Sequence, residues 1–237
     1  MPEQLQSFQD KIEDGIVDNT LIKRTVKYVW DSLMPWCNDV DCPVVDGEEE
    51  LNEQFHDYLN SQVAETLPMI YFRHEQKQEG RRRIDMATKP RITVVINGRR
   101  YTRYQPILVI EGKRLPAPSN DREREYVTGE NDDITGGIQR FKTGAHGKEH
   151  GEAIIVGYVQ AEVPEYWFAV INGWISDLKT ELPDKWSMND ELRDIQCEDS
   201  GQRARSFSEH SRVSGCRSES IRLHHFWIQM KRPSPCS

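Results

Sequence analysis

Apolar residues along the chain follow two rhythms, one helical and one strand-like. Residues 48–67, EEELNEQFHDYLNSQVAETL, set Leu51, Phe55, Tyr58, Leu59 and Val63 three or four apart. Three glutamates stand at the front, where the positive end of a helix favours negative charge, so the spacing predicts a helix that Pro68 closes. From Met69 the period shortens. MIYFRHE, a polar turn around Gly80, RRIDMAT, ITVVI, a turn at Asn97-Gly98 and RRYTRYQPILVIEGKRL read as a meander of three or four strands. Asn-Gly between β-branched runs is a strong hairpin signal, because both residues tolerate the left-handed backbone of a tight turn.

Residues 116–133, PAPSNDREREYVTGENDD, are too polar for the core and predict a surface loop or a short charged helix. A short helix is expected near Ile138 to Thr143, and AIIVGYVQA (153–161) has the length and apolarity of a buried strand. VPEYWFAVINGWISDLKTEL then reads as a helix with Trp167, Ile171, Trp174, Ile175 and Leu178 on one side. Residues 184–220 are poor in large apolar groups and predict a long loop, partly disordered. The chain returns in SIRLHHFWIQM (220–230), a strand whose Phe226-Trp227-Ile228 would be a liability if exposed. These elements predict an N-terminal helical or loop segment, 1–47, packing on one α/β domain, 48–237, with a polar loop at about 184–220.

Composition narrows the class. The 237 residues are 36% hydrophobic and 30% charged, as in globular proteins, and 39 acidic against 31 basic side chains give a formal charge of -8. Such a chain does not coat nucleic acid or membrane non-specifically. No run approaches the ~18–20 apolar residues of a membrane span, and the first residues lack a signal peptide's basic start and apolar centre. A cytoplasmic location is expected. Five cysteines, unevenly spaced, predict neither a disulfide framework nor a zinc site.

Charge is sharply segregated. Residues 1–70 hold 15 acids and 4 bases, a net of -11, whereas residues 71–114 hold 4 acids and 12 bases, a net of +8. Arginines 81 to 83, 99, 100, 103 and 114, with Tyr101 and Tyr104 interleaved, lie in this basic segment. They can contact phosphates or decorate a solvated hairpin.

Three acid-any-lysine tripeptides occur: Glu75-Gln76-Lys77, Glu111-Gly112-Lys113 and Asp177-Leu178-Lys179. About one chance match is expected in such a chain, so context decides. Only the second follows four apolar residues, Ile107 to Ile110, and so emerges from a buried strand. Side chains two apart on a strand share a face, which puts the Glu111 carboxylate beside the Lys113 ammonium. Asp85 lies on a neighbouring strand of the same meander and can supply a second carboxylate. Two carboxylates and a lysine on rigid strands suit a hard divalent cation that also bonds a substrate phosphate, with phosphodiester hydrolysis as the matching reaction. The structural alternative is an Asp85–Lys113 ion pair at a sheet edge with Glu111 solvated.

This order of helix, hairpin and motif resembles the PD-(D/E)xK, or restriction-endonuclease-like, nuclease superfamily over roughly residues 48–160. Asp85 follows Ile84 rather than a proline, and about 26 residues separate it from Glu111. The resemblance implies a three-layer αβα fold with a central mixed sheet. It implies Asp85 and Glu111 as metal-binding acids and Lys113 as catalytic lysine, with Glu53 as a further acid from the first helix and Gln139 as a polar residue from the helix after the motif. It implies Mg2+, or Mn2+, as cofactor and DNA or RNA as substrate. The expected protein is a DNA endonuclease of restriction or antiviral defence, as a homodimer or as a subunit of a larger complex. The alternative is a catalytically inactive nuclease-fold subunit that binds DNA or protein. Other candidates are weaker. His146 and His150 are flanked by glycines that argue for a loop, and His224 and His225, adjacent in a strand, face opposite ways.

Overall fold

The computed structural model describes residues 20–77, 83–129 and 133–230. Two long helices come first, α1 (Thr20–Cys37) and α2 (Glu48–Thr66). On α2 the predicted stripe turns inward: Leu51, Phe55, Leu59 and Val63 are buried and the three leading glutamates occupy the first turn. Strands β1 (Ile70–Lys77) and β2 (Arg83–Pro90) pair antiparallel, and β3 (Val94–Ile96) and β4 (Arg99–Tyr101) close a tight hairpin. Asn97 and Gly98 at its tip have φ of 51° and 71°, the left-handed pair that the sequence signal requires. This hairpin forms a separate two-stranded sheet instead of continuing the meander.

Strand β5 (Leu108–Leu115) rejoins the main sheet beside β2. A 3-10 helix at Asn120–Tyr126 follows, then α3 (Gly137–Lys142), β6 (Glu152–Val159), α4 (Pro164–Glu181), β7 (Arg193–Glu198), β8 (Arg203–Ser211) and β9 (Ser220–Gln229). The seven-stranded sheet has the order β1-β2-β5-β6-β9-β8-β7. Pairing is parallel for β5/β6 and β6/β9 and antiparallel elsewhere, so the sheet is mixed.

Each face of the sheet carries its own apolar core. Trp30, Leu33 and Trp36 of α1 and the α2 stripe pack with Ile110, Tyr158 and Phe226 on one face. Phe141 of α3 and Trp167, Ile171 and Trp174 of α4 pack with Val109, Ile155 and Trp227 on the other. Helix α1 thus supplies part of one core. Burial of these large side chains, at roughly 25 cal/mol per Å2 of apolar surface, is the main force holding the helices to the sheet. Among the described residues the cysteines form no disulfide, and no helix is long and apolar enough to cross a membrane.

The reading of residues 184–220 as a long loop is overturned. The segment contributes β7 and β8, a third of the way across the sheet. Residues of β8 alternate strictly, but the buried positions are Ala204, Ser206, Ser208 and His210 rather than large apolar groups. Those polar residues are satisfied inside the protein. His210 Nδ1 lies 2.7 Å from Asp190 Oδ1, and Ser208 Oγ lies 2.6 Å from His210 Nε2 and 2.7 Å from His225 Nε2. His225 Nδ1 continues the chain to the Tyr126 hydroxyl at 2.9 Å. The order Ser208, His210, Asp190 matches a nucleophilic triad in its contacts, yet Ser208 and His210 are fully buried, so the chain of bonds braces the core.

Candidate active site

The site forms where β2 and β5 part. Their ladder runs from Thr88 opposite Leu108 to Met86 opposite Ile110, and one step further stand Asp85 and Glu111. There the Gly112 N–H donates to Asp85 Oδ2 at 2.8 Å instead of to a strand carbonyl. Gly112 also sets how closely α2 approaches. A Cβ built on it would lie 1.9 Å from Asn52 Oδ1 and 2.9 Å from the Tyr158 ring, while the Tyr158 hydroxyl donates to that Asn52 oxygen at 2.8 Å. Glycine at this position thus lets the first turn of α2 reach the end of β5.

That approach delivers Glu48, which sequence reasoning passed over. Its Oε1 receives the Lys113 ammonium at 2.9 Å and its Oε2 the Arg114 N–H at 3.0 Å. Glu53, the expected acid of this helix, is exposed. At 100° per residue it stands about 140° around α2 from Glu48, and the helix cannot turn both inward. Glu48 shares its side with Asn52, one turn along, which is the signal that could have singled it out.

Lys113 and Glu111 are side by side as predicted, Nζ to Oε1 at 3.2 Å, and both are buried. Two further basic side chains converge on the same carboxylate. Arg140 Nη1 donates to Glu111 Oε1 at 2.8 Å, and His146 Nδ1 stands 3.1 Å from Oε2. The second contact lacks hydrogen-bond alignment, so Glu111 Oε2 and His146 Nδ1 are both buried without a hydrogen-bond partner. Gln139, the expected contributor from α3, turns back instead. Its Oε1 accepts from the N–H groups of Gly129 and Gly136, capping its own helix. Arg140, one position on, faces the site. A six-residue helix gives too little periodicity to choose between the two from sequence, and the glycines around His146 disguise it as an ordinary loop residue.

Electrostatics drive the two strand carboxylates apart. Burial, then the neighbouring Glu111 charge, push the Asp85 carboxyl up to about 8. At Glu111 the burial cost, the largest influence, is outweighed by Lys113, His146 and Arg140 together, which hold its carboxyl far below the usual range. Lys113, likewise buried, is held protonated by Glu111, Glu48 and Asp85.

The expected phosphate contacts are dispersed. Arg81 and Arg82 lie outside the described residues. Arg83 pairs with Glu75. Arg99 stacks on Tyr101, 4.6 Å to the ring centre, and bonds the Glu149 carbonyl at 2.9 Å. Arg100 and Arg103 are exposed, whereas Arg114 is half-buried with its Nε enclosed and unpartnered. The β3–β4 hairpin leaves β2 at Pro90 and returns at Leu108, the end of the pair away from the Asp85–Gly112 contact. Four residues of strand, about 13 Å, separate the two ends. His146 and His150 do not share a site, since His150 lies against Arg99 and Arg212 and its pKa falls to about 3, chiefly through burial. His225 is buried while His224 meets Glu152 at 3.0 Å, the opposite facing expected of neighbours on a strand.

Among the described residues no group of three or more His, Cys, Asp or Glu is gathered as a metal cage. Glu48 is committed to Lys113 and Arg114, which leaves Asp85 and Glu111 as a pair. Two hard oxygen donors, one with an unpartnered buried oxygen, fit a cation such as Mg2+ that takes one or two carboxylates and completes its shell with water and substrate phosphate. Comparison with known proteins adds no name: no protein-family model matches the chain, and neither a curated protein nor a solved structure matches it.

Proposed function

We propose that the chain is a metal-dependent nuclease of restriction-endonuclease-like architecture, hydrolysing phosphodiester bonds, with DNA as substrate and a restriction or antiviral role. One observation carries this reading: Asp85, Glu111 and Lys113 are buried together at the parting of β2 and β5, with Glu111 Oε2 left without a hydrogen-bond partner. Helix α2, strands β1, β2 and β5, helix α3 and strand β6 follow one another as the resemblance implies, with β6 parallel to β5.

Asp85 and Glu111 would hold Mg2+ or Mn2+, which supplies charge for the attacked phosphate and a bound water of lowered pKa. The protein's own groups do the rest. Glu48 fixes the Lys113 ammonium from one side and Glu111 from the other, so Lys113 donates from a set position to a water or a phosphate oxygen without waiting for a side chain to order. Arg140 offers a second, more exposed cation beside Glu111. The exposed Arg100 and Arg103 reach backbone phosphates further along a duplex, because no single phosphate spans both ends of the β2–β5 pair.

The second reading, an inactive nuclease-fold subunit that binds DNA or protein, draws support from the three basic side chains that already surround Glu111. Cleavage of linear and circular duplex DNA with Mg2+, Mn2+ or EDTA separates the two. The nuclease cuts only with metal, and Glu111→Ala and Lys113→Ala each abolish cutting while the protein stays folded. Cutting that survives either substitution removes this site from the chemistry, and metal-independent DNA binding without any cutting favours the second reading.

A further inference from the structure

Lys113, Arg140 and His146 surround Glu111, and they differ in one respect that matters for a substrate. Lys113 and His146 are enclosed, their side chains 5% and 2% exposed, whereas the Arg140 side chain is 25% exposed. An anion arriving from solvent therefore meets Arg140 before either of the others. Arg140 also sits on the least self-sufficient helix of the fold. Its α3 has six residues and begins at Gly136-Gly137, so tertiary contacts rather than helix propensity place it. The far end of that helix is fixed, with Lys142 ion-paired to Asp190 and Phe141 in the core. Freedom is thus confined to the Arg140 side chain itself.

Its bond to Glu111 competes with a cation. The guanidinium occupies Oε1 at 2.8 Å, and a divalent ion approaching the same carboxylate would meet like charge. A nucleic-acid phosphate offers Arg140 a bidentate alternative at least as favourable as one oxygen of a carboxylate.

We infer that Arg140 is a latch that keeps Glu111 from the metal until a backbone phosphate draws the guanidinium away, so that substrate and metal bind with positive cooperativity. This rests on Asp85 and Glu111 being the metal ligands. By linkage the effect is reciprocal: the factor by which a duplex tightens the metal equals the factor by which the metal tightens the duplex. Lys113 stays in place throughout, tied to Glu48.

The test is Mn2+ binding to the full chain, followed by calorimetry or the spin-resonance signal of the free ion, with and without a non-cleavable phosphorothioate duplex. The wild type is expected to bind Mn2+ about tenfold more tightly in the presence of the duplex, the scale of one charge-assisted hydrogen bond exchanged. Arg140→Gln is expected to bind tightly without the duplex and to gain little from adding it. Equal Mn2+ affinity of Arg140→Gln and wild type without duplex overturns the latch, as does a duplex effect that persists in the variant. Asp85→Asn distinguishes the deeper failure: Mn2+ binding that survives this substitution places the metal elsewhere and overturns the site reading. Absence of binding in every protein, with or without duplex, removes both.

Discussion

Asp85 and Glu111 carry the same functional group and stand opposite each other one step past the end of the β2–β5 ladder, and their surroundings push them in opposite directions. Glu111 is ionised against burial by Lys113, His146 and Arg140, while Asp85 has a backbone N–H and a lysine shared with two other acids. The Asp85 carboxyl, at about 8, keeps a proton in the folded state that the unfolded chain has released above about 4. Stability therefore falls as pH rises between those values. Asp85→Asn has no proton to lose, so denaturant titrations are expected to show it stabilised on the order of 2 kcal/mol at pH 8 and little changed at pH 4. A constant difference across that range would contradict the assignment. Gly112→Ala forces a Cβ against Asn52 and Tyr158 and is expected to cost about 2–4 kcal/mol, with the Lys113–Glu48 pairing lost along with the stability. Asp85, Glu111 and Lys113 were legible in sequence because an apolar run and a strand period fix which side chains are neighbours. Glu48 was not, since three consecutive glutamates are explained equally well by the helix terminus.

At the scale of elements, the apolar rhythm located α2, α4, β6 and β9 with little error, because each buries large side chains at its proper period. It failed at β7, which has no fully buried position, at β8, whose buried positions are Ala204, Ser206, Ser208 and His210, and at the choice between Gln139 and Arg140 on a helix too short to have a phase. What replaces apolar patterning on β8 is the hydrogen-bonded chain from Asp190 through His210, Ser208 and His225 to Tyr126, which no local pattern encodes. Burial, the largest influence on both, lowers the His210 and His225 pKa values, so the folded state excludes protons that the unfolded chain binds below about 6.5. Stability from this chain is fully present above that pH and is lost on acidification, opposite in sign to the contribution of Asp85. Ser208→Ala is expected to cost about 1–3 kcal/mol in urea unfolding at pH 7 by stranding two buried imidazoles, and an unaltered midpoint would show the chain to be dispensable.

Among the described residues, charge segregation along the sequence does not become one basic face. The described arginines of residues 71–114 divide between the hairpin, the sheet and ion pairs with Glu75 and Glu149. Arg100 and Arg103 remain exposed, and replacing each by alanine is expected to weaken duplex binding and lower its salt slope by about 1 per residue, uniformly over sequences. An unchanged slope would take the hairpin out of the interface. The central claim is that the buried cluster where β2 and β5 part is a metal-dependent phosphodiesterase centre. Nicking of supercoiled plasmid in Mn2+ by wild type and Asp85→Ala, at matched circular dichroism and thermal midpoint, tests it most directly. Nicking by the wild type that EDTA stops and Asp85→Ala lacks is the predicted result; equal nicking by the two proteins would contradict it.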